Sequence, residues 1–414
     1  MRPVLSRLLP VPEEIDVVVV GGGQAGLAVS HELWAAGVDH VVLERGRIGQ
    51  TWRDRWDSFC LVTPNWSVQL PGGHYEGDDP GGYLPRDQIV EHLEGWAKGF
   101  DAPVREEVGV RSLDRGDDGT YVLETSGGEI RARTVVLGTG AYQKPFRPPT
   151  ATALPPDLLA IDVDGYTNPD ALPAGRVLVV GSGQSGCQIA EELHQSGRDV
   201  ILSSGRAPWG PRRMGGRDIV WWVLNGGFLD APRESLPSEE AKLWANFQST
   251  GHDGGHDLHT RTLRAMGVTL VGHFVRVEGR RAVFAQDLRE SVAWGDERFG
   301  QLIDLVRRVA AEQGLEEPEV PVPGPIGEEG PAEIDLGDVG AVVFAGGFRP
   351  DYRSWVRIPD AFDETGFPIQ RDGASSVAPG LYFIGVHFMR KRKSTLLVGV
   401  GEDAAIVAGA IAGA

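Results

Sequence analysis

The chain has 414 residues, too many for one ordinary domain and enough for two or three at roughly 100–200 residues each. Its hydrophobic fraction of 41% and charged fraction of 24% exclude disordered, collagen-like and coiled-coil architectures and imply a packed core. A formal net charge of -18 excludes tight binding to nucleic acid or anionic membrane, because the summed field repels polyanions before any local contact forms.

Residues 1–14 carry two arginines, three prolines and two acids but no continuous apolar run, so they read as a leader without a secretory signal, and a cytoplasmic protein is expected. The first folded unit begins at Asp16-Val17-Val18-Val19-Val20, followed by Gly21-Gly22-Gly23-Gln24-Ala25-Gly26 and an apolar helical pattern through Leu33. Gly37 ends that helix, and Asp39 to Glu44 reads as the next parallel strand. An offset of 160 residues returns the same unit as Val177 to Val180, Gly181-Ser182-Gly183-Gln184-Ser185-Gly186, a helix to Gly197, and Asp199 to Ser204. The duplication predicts an α/β fold with two Rossmann-like dinucleotide-binding domains.

Each glycine has its own task. Gly21 and Gly181 allow the tight turn, Gly23 and Gly183 let backbone approach a pyrophosphate, and Gly26 and Gly186 permit close helix packing. The helix N-terminus adds unpaired N–H groups and a positive dipole end for the phosphates. A strand before, a helix after and a second strand beyond set both copies apart from a chance glycine-rich loop. The copies diverge where that second strand ends. Glu44 suits the hydroxyls of an adenosine ribose, whereas Ser203 and Ser204 with Arg206, and with Arg212 or Arg213, suit a 2′-phosphate that a carboxylate would repel. The second site leans to NADP on this reading; the same arginines also read as a solvated loop.

Cys60 and Cys187 are the only cysteines, and no CxxC occurs, which argues against a dithiol redox centre and a cysteine zinc site. Further along, Thr134 to Gly140 and Gly340 to Gly347 each read as a strand that closes a nucleotide domain and hands the chain to its neighbour. The expected organisation is a leader at 1–14, one dinucleotide domain split between 15–170 and 336–414, and a second inserted at 171–335. In His252-Asp253-Gly254-Gly255-His256-Asp257-Leu258-His259 the histidine spacing suggests a metal, but the glycines break the helix such a site needs, and a helix start running on through Arg264 is the better reading, with no metal expected. Glu402 and Asp403 interrupt the apolar stretch from Leu396 to Ala414, which reads as a buried helix rather than a membrane span.

Besides both glycine motifs the chain carries Gly49-Gln50-Thr51-Trp52, Gly138-Thr139-Gly140, Pro379-Gly380-Leu381-Tyr382-Phe383-Ile384-Gly385 and Gly399-Val400-Gly401-Glu402-Asp403-Ala404. In these it resembles the two-dinucleotide (class B) flavin-dependent monooxygenases, the group of FAD/NADPH amine and sulfide oxygenases, YUCCA-type enzymes and Baeyer–Villiger monooxygenases. It departs from them where the fingerprint FxGxxxHxxxY falls on Pro156, Leu158, Asp162 and Tyr166, of which the tyrosine alone is kept, and at Ala345-Gly346-Gly347, where the family has Ala-Thr-Gly.

The resemblance implies FAD in the split domain, contacted by Gln24, Ala25, Glu44, Arg45, Gln50, Thr51, Trp52, Val110, Gly140, Gly346, Gly385 and Asp403. It implies NADPH in the inserted domain, on Gln184 and Ser185 with Ser203, Ser204 and Arg206. The implied activity is NADPH-consuming monooxygenation of a small organic substrate by O₂ through a peroxyflavin, at nitrogen or sulfur ahead of Baeyer–Villiger chemistry. An NADPH:acceptor reductase or oxidase is the alternative, and a non-enzymatic redox-sensing flavoprotein the least favoured reading. No nucleic-acid or membrane partner is expected; a homodimer is compatible. Water must be excluded from such a site, and Trp52, Trp56, Phe59, Trp66, Trp221 and Trp222 are candidates for its lining, with plain core packing the commoner role. Asn65 could hydrogen-bond the peroxide or nicotinamide, although Thr-Pro-Asn also reads as a turn. Arg390 and Lys393, in a run with His387 and Arg392, could stabilise negative charge on the flavin; the run reads equally as a solvated basic loop.

Overall fold

The computed structural model describes residues 12–414; all but the last few residues of the expected leader lie outside this range. In chain order the elements that position the site are β1 (Glu13–Val20), α1 (Gln24–Ala35), β2 (Val41–Leu43), β3 (Gly128–Leu137), β4 (Leu159–Asp162), β5 (Arg176–Val180), α2 (Gln184–Gln195), β6 (Val200–Ser203), α3 (Thr260–Met266), β7 (Thr269–Val271), α4 (Leu288–Glu312), β8 (Val339–Phe344), β9 (Leu381–Phe383) and α5 (Val400–Ala412).

Val17 to Val20 are all buried, as a β-branched run must be when helices or sheets cover both of its faces. They form the centre of the first sheet, in the order β9-β3-β1-β2, parallel throughout, with short strands and an antiparallel hairpin (Val110–Arg115 with Tyr121–Thr125) at its margins. Helices α1 and α5 share the core on one face, where Leu27, Val29 and Leu33 meet Val400, Ala404 and Val407. The C-terminal apolar stretch is therefore the buried helix expected, and among the described residues no helix is long and apolar enough to cross a membrane.

The second sheet is parallel in the order β4-β8-β5-β6-β7. Val177 and Val179 pack there against Cys187, Ile189 and Leu193 of α2 and Leu263 of α3. Sheet membership moves both expected domain boundaries outward. β4 lies before residue 171 and β8 after residue 335, yet the two pair with each other and β8 pairs with β5. The second domain thus draws its edge strand and its closing strand from stretches assigned by sequence to the first. Where the chain crosses between sheets, Lys144–Pro145 and Phe348–Arg349 run antiparallel as a two-stranded ribbon.

A buried ionic knot joins the domains. Arg212, in the second, donates to the Val62 carbonyl of the first at 2.8 Å, to Ser249 Oγ at 2.6 Å and to the Asp218 carboxylate. Tyr83, from the first domain, lies under the guanidinium and donates its hydroxyl to Asp218 Oδ2 at 2.6 Å. The Arg212 side chain is 2% exposed and that of Asp218 10%, so neither charge has water to fall back on. Asp218→Ala leaves a buried unpaired guanidinium and is expected to lower the unfolding free energy of the domain pair by about 3–5 kcal/mol, whereas Tyr83→Phe costs about 1.5–3 kcal/mol. Urea denaturation checks both; a silent Asp218→Ala contradicts the knot.

Candidate functional site

Both glycine turns stand at the C-terminal edges of their sheets, where ligands of open α/β folds bind. Gly21 and Gly181 hold φ of +112° and +114°, and a Cβ on either would lie 2.5 Å from the carbonyl oxygen of Gly138 or of Ala345. A Cβ on Gly26 or Gly186 would lie 1.8 Å from the carbonyl oxygen of Gly21 or Gly181, so each helix is seated directly on its own turn. Gly23 and Gly183 differ: a Cβ there meets nothing within 4 Å. They also serve as the N-caps of α1 and α2, and no side chain caps either helix. Two open cradles with unclaimed first-turn N–H groups fit the pyrophosphates of two dinucleotides. Gln24, Ala25, Ser185 and Gln184 lie in those first turns.

At the ends of the second strands the copies part as their sequences suggest. The Glu44 carboxylate accepts from Gly22 N at 2.7 Å and from Gly46 N at 2.9 Å, which holds it beside the first turn. In the second unit Ser182 Oγ takes over this bridging, accepting from Gly205 N at 3.1 Å. The Ser203 hydroxyl is spent on the Gly272 carbonyl, whereas Ser204 Oγ is buried without a partner. Arg206 stands on the surface, paired with Glu290 at 2.7 Å. A residue missed by sequence joins this end: His273, just past β7, faces Gly205 and pairs with Asp287 at 2.6 Å. The β6–β7 pairing brings it there, a contact no local spacing announces.

Arg212 and Arg213 do not belong to this end. The knot holds Arg212, and Arg213 donates to the carbonyls of Gly254 and Gly255. Val110 opens the hairpin, and just before it the Val108 N–H donates to Glu44 O at 2.8 Å. Arg45 is exposed and packs beside Gly109.

Around the first cradle, Gln24 Oε1 accepts from the Trp52 indole at 2.9 Å, and Gly385 backs onto Ala25 of α1. In the second unit Gln184 makes the matching tie to the backbone of Ser249. Gln50 closes its own turn on Arg47 N and Asp54, and Thr51 beside it is exposed. Gly140 and Gly346 begin the two crossing segments. Of the candidate aromatics, Trp56 and Trp222 are core residues, while Trp52, Phe59, Trp66 and Trp221 are half-buried.

The three residues expected to be catalytic are otherwise engaged. Asn65 is buried, with Nδ2 donating to Asp79 O at 2.9 Å and Oδ1 accepting from Leu84 N at 2.7 Å; it pins a loop, the turn role. Arg390 pairs with Asp403 and Asp372, and Lys393 with Asp230 and Glu402. Their charges are neutralised in place, so neither offers a free cation. Asp403 itself is buried, with Oδ2 unpartnered, and burial raises its pKa. Arg392 in the same run has no acid partner among the described residues and lies over Phe228 and Phe388. Burial pushes His387 down to about 4, leaving it neutral at pH 7.

A second cation without an acid, Arg55, was not singled out by sequence. Its Nε is buried and unpartnered, and its guanidinium lies 5.8 Å from the Phe59 ring, 5.3 Å from Tyr142 and 5.9 Å from Phe348. Cation–π contacts at half-exposed sites return about 0.5–1 kcal/mol each and give Nε no acceptor, while a buried unmade hydrogen bond costs about 1–3 kcal/mol. The cluster is polar and under-satisfied.

The histidine segment divides into separate structural tasks. His256 meets Glu191 at 2.7 Å, His252 meets Asp253, and buried His259 caps α3 by accepting from Arg261 N and Thr262 N. Among the described residues no cluster could hold a metal ion. Tyr166, the retained fingerprint residue, is buried and donates to Glu192 of α2 at 2.7 Å. Both thiols are free and buried; burial pushes Cys60 up to about 11 and raises Cys187 as well.

The sequence pattern of the pyridine nucleotide-disulphide oxidoreductases matches residues 18–222. The chain is 32% identical over 392 residues to an uncharacterized CzcO-like oxidoreductase of Geobacillus kaustophilus, covering 94% of this chain and 96% of that protein. It is 31% identical over 271 residues to the indole-3-pyruvate monooxygenase YUCCA4 of Oryza sativa subsp. japonica, covering 56% of this chain and 61% of the relative. Its fold superposes on that of a flavin-containing monooxygenase from Stenotrophomonas maltophilia with a TM-score of 0.65 at 18% identity, over 97% of this chain and 99% of the other.

The open cradle positions give a clean test, because alanine at Gly23 or Gly183 strains no backbone and touches no protein atom. Gly23→Ala is expected to lose bound FAD, and Gly183→Ala to raise the Km for nicotinamide dinucleotide at least about tenfold, a change of roughly 1.4 kcal/mol, with the melting temperature of the apoprotein unchanged. Flavin absorbance and steady-state kinetics read the two effects, and unaltered cofactor binding in both variants counts against the cradles.

Proposed function

Because the chain belongs to the pyridine nucleotide-disulphide oxidoreductase family, in its CzcO-like branch, we propose that it is an NADPH-dependent monooxygenase acting at nitrogen or sulfur of a small organic substrate. The family makes it a flavin- and pyridine nucleotide-dependent oxidoreductase; the destination of the electrons is the proposed part. One observation carries it. The chain has two cysteines, Cys187 in the core of the second domain and Cys60 outside any core cluster, both buried and both shifted away from the thiolate, so no dithiol stands ready to take electrons from a flavin. The electrons then pass to an acceptor from outside the chain, which on this reading is O₂.

FAD bound in the first cradle would supply the redox chemistry: NADPH, a proton, O₂ and substrate become NADP⁺, water and a substrate carrying one oxygen atom. The chain's own residues bind, orient and exclude water. Gly23 and the α1 N-terminus would hold the flavin dinucleotide's phosphates, Glu44 its ribose, and Gly183 and the α2 N-terminus the phosphates of NADPH. Ser204, with its buried unmade hydrogen bond and no carboxylate at its position, suits the 2′-phosphate, with Arg206 and His273 at the rim. Trp52 and Phe59, whose rings lie 5.9 Å apart, wall the flavin side against water.

With NADPH and ¹⁸O₂, methyl phenyl sulfide and N,N-dimethylbenzylamine are expected to yield a sulfoxide or N-oxide carrying one ¹⁸O per NADPH consumed. Release of all reducing equivalents as hydrogen peroxide, with no labelled product from either probe, contradicts oxygen transfer. Placing the first unit's carboxylate in the second, Ser204→Glu, is expected to raise the Km for NADPH by about tenfold or more while leaving that for NADH within about twofold. Equal changes for both cofactors would mean that Ser204 does not read the 2′-phosphate.

A further inference from the structure

Arg55 sits where three stretches of chain converge: the segment leaving Trp52, and the two crossing segments that begin at Gly140 and Gly346. Tyr142 and Phe348, one from each crossing segment, meet edge to face at 5.3 Å, and His387, from the loop after β9, meets Tyr142 edge to face at 5.6 Å. These rings wall a guanidinium whose buried Nε has no hydrogen-bond partner among the described residues. Asp54 and Asp164 are near enough to feel its charge, yet neither lies within ion-pair distance. Tyr142 is 45% exposed, so the cluster opens to solvent on that side.

We infer that Arg55 is the anchor for a substrate carboxylate, so that the oxygenase acts on organic acids whose aromatic or apolar body lies among Phe59, Tyr142 and Phe348. The planar fork of one guanidinium matches one carboxylate through two parallel hydrogen bonds and balances its single charge. A phosphate dianion is the poorer fit, since one cation leaves half its charge unbalanced inside an apolar wall. The cofactor phosphates, moreover, have cradles of their own on α1 and α2. Neutral His387 supplies a further polar group without a second charge to distort the match. A half-buried cation whose inner nitrogen is kept without a protein acceptor is a cost that a ligand removes, and such costs concentrate where ligands bind.

The inference rests on the oxygenase reading for the fate of the acid but not for its binding, and the two are measured apart. The probes are 4-(methylthio)phenylacetate and its amide, which share a thioether and a ring and differ in charge. Calorimetry on the FAD-loaded protein is expected to show the acid binding at least tenfold tighter than the amide. Arg55→Met should abolish that preference and Arg55→Lys retain part of it, with flavin content and the Kd for NADPH unchanged in both. Arg55→Met should also raise the melting temperature, since it removes a buried nitrogen that has no partner; a cation placed there for stability would lower it. Equal binding of acid and amide, no binding of the acid, or variants that weaken NADPH instead of the acid each overturn the assignment. Preferential acid binding with no sulfoxide formed upholds the anchor and sinks the oxygen transfer.

Discussion

In each half of the molecule a helix starts against the carbonyl of its own turn, so close that a side chain on Gly26 or Gly186 would begin 1.8 Å from that oxygen. Everything at the site follows from this seating. The turn can tighten only because Gly21 and Gly181 adopt positive φ against Gly138 and Ala345, the residues that follow the closing strands β3 and β8. The helix then begins at the C-terminal edge of the sheet with its first N–H groups free, and the open positions at Gly23 and Gly183 leave space in front of them. Because the same closing strands hand the chain from one sheet to the other, the two cradles are tied through a pair of short crossing segments.

Charge is distributed to match. The chain is strongly acidic overall, and cations near the site are for the most part already balanced: Arg390, Lys393 and Arg206 each have a carboxylate, and Arg212 is locked between domains. Against that background the unbalanced groups stand out. Ser204 Oγ at the end of β6 and the Arg55 guanidinium at the domain junction are polar groups that folding leaves without partners. In the proposed reading the first serves recognition of the cofactor and the second, where the crossing segments meet, recognition of the substrate.

The sequence was legible wherever function depends on residues close together in the chain. Glycine spacing, flanking strands and the contrast of Glu44 with Ser204 are all contained within one βαβ unit, and the structure realises them with the geometry the spacing demands. It was not legible where partners are distant. Arg390 and Lys393 look like free cations until Asp230, Asp372, Glu402 and Asp403 are brought to them. β8 reads as a closing strand and β4 as no strand, and the sheet to which each belongs was not legible because membership of a parallel sheet is a long-range property. Arg55 carried no signal at all, since its meaning lies in Tyr142 and Phe348.

The central claim is that two dinucleotide sites act as one electron path. Its most direct test is an anaerobic titration of the FAD-loaded protein with NADPH, followed by flavin absorbance. Complete bleaching at one NADPH per flavin, reversed on admitting O₂, is the expected result. A protein that takes up no FAD, or whose bound flavin stays oxidised under excess NADPH and NADH alike, would contradict it.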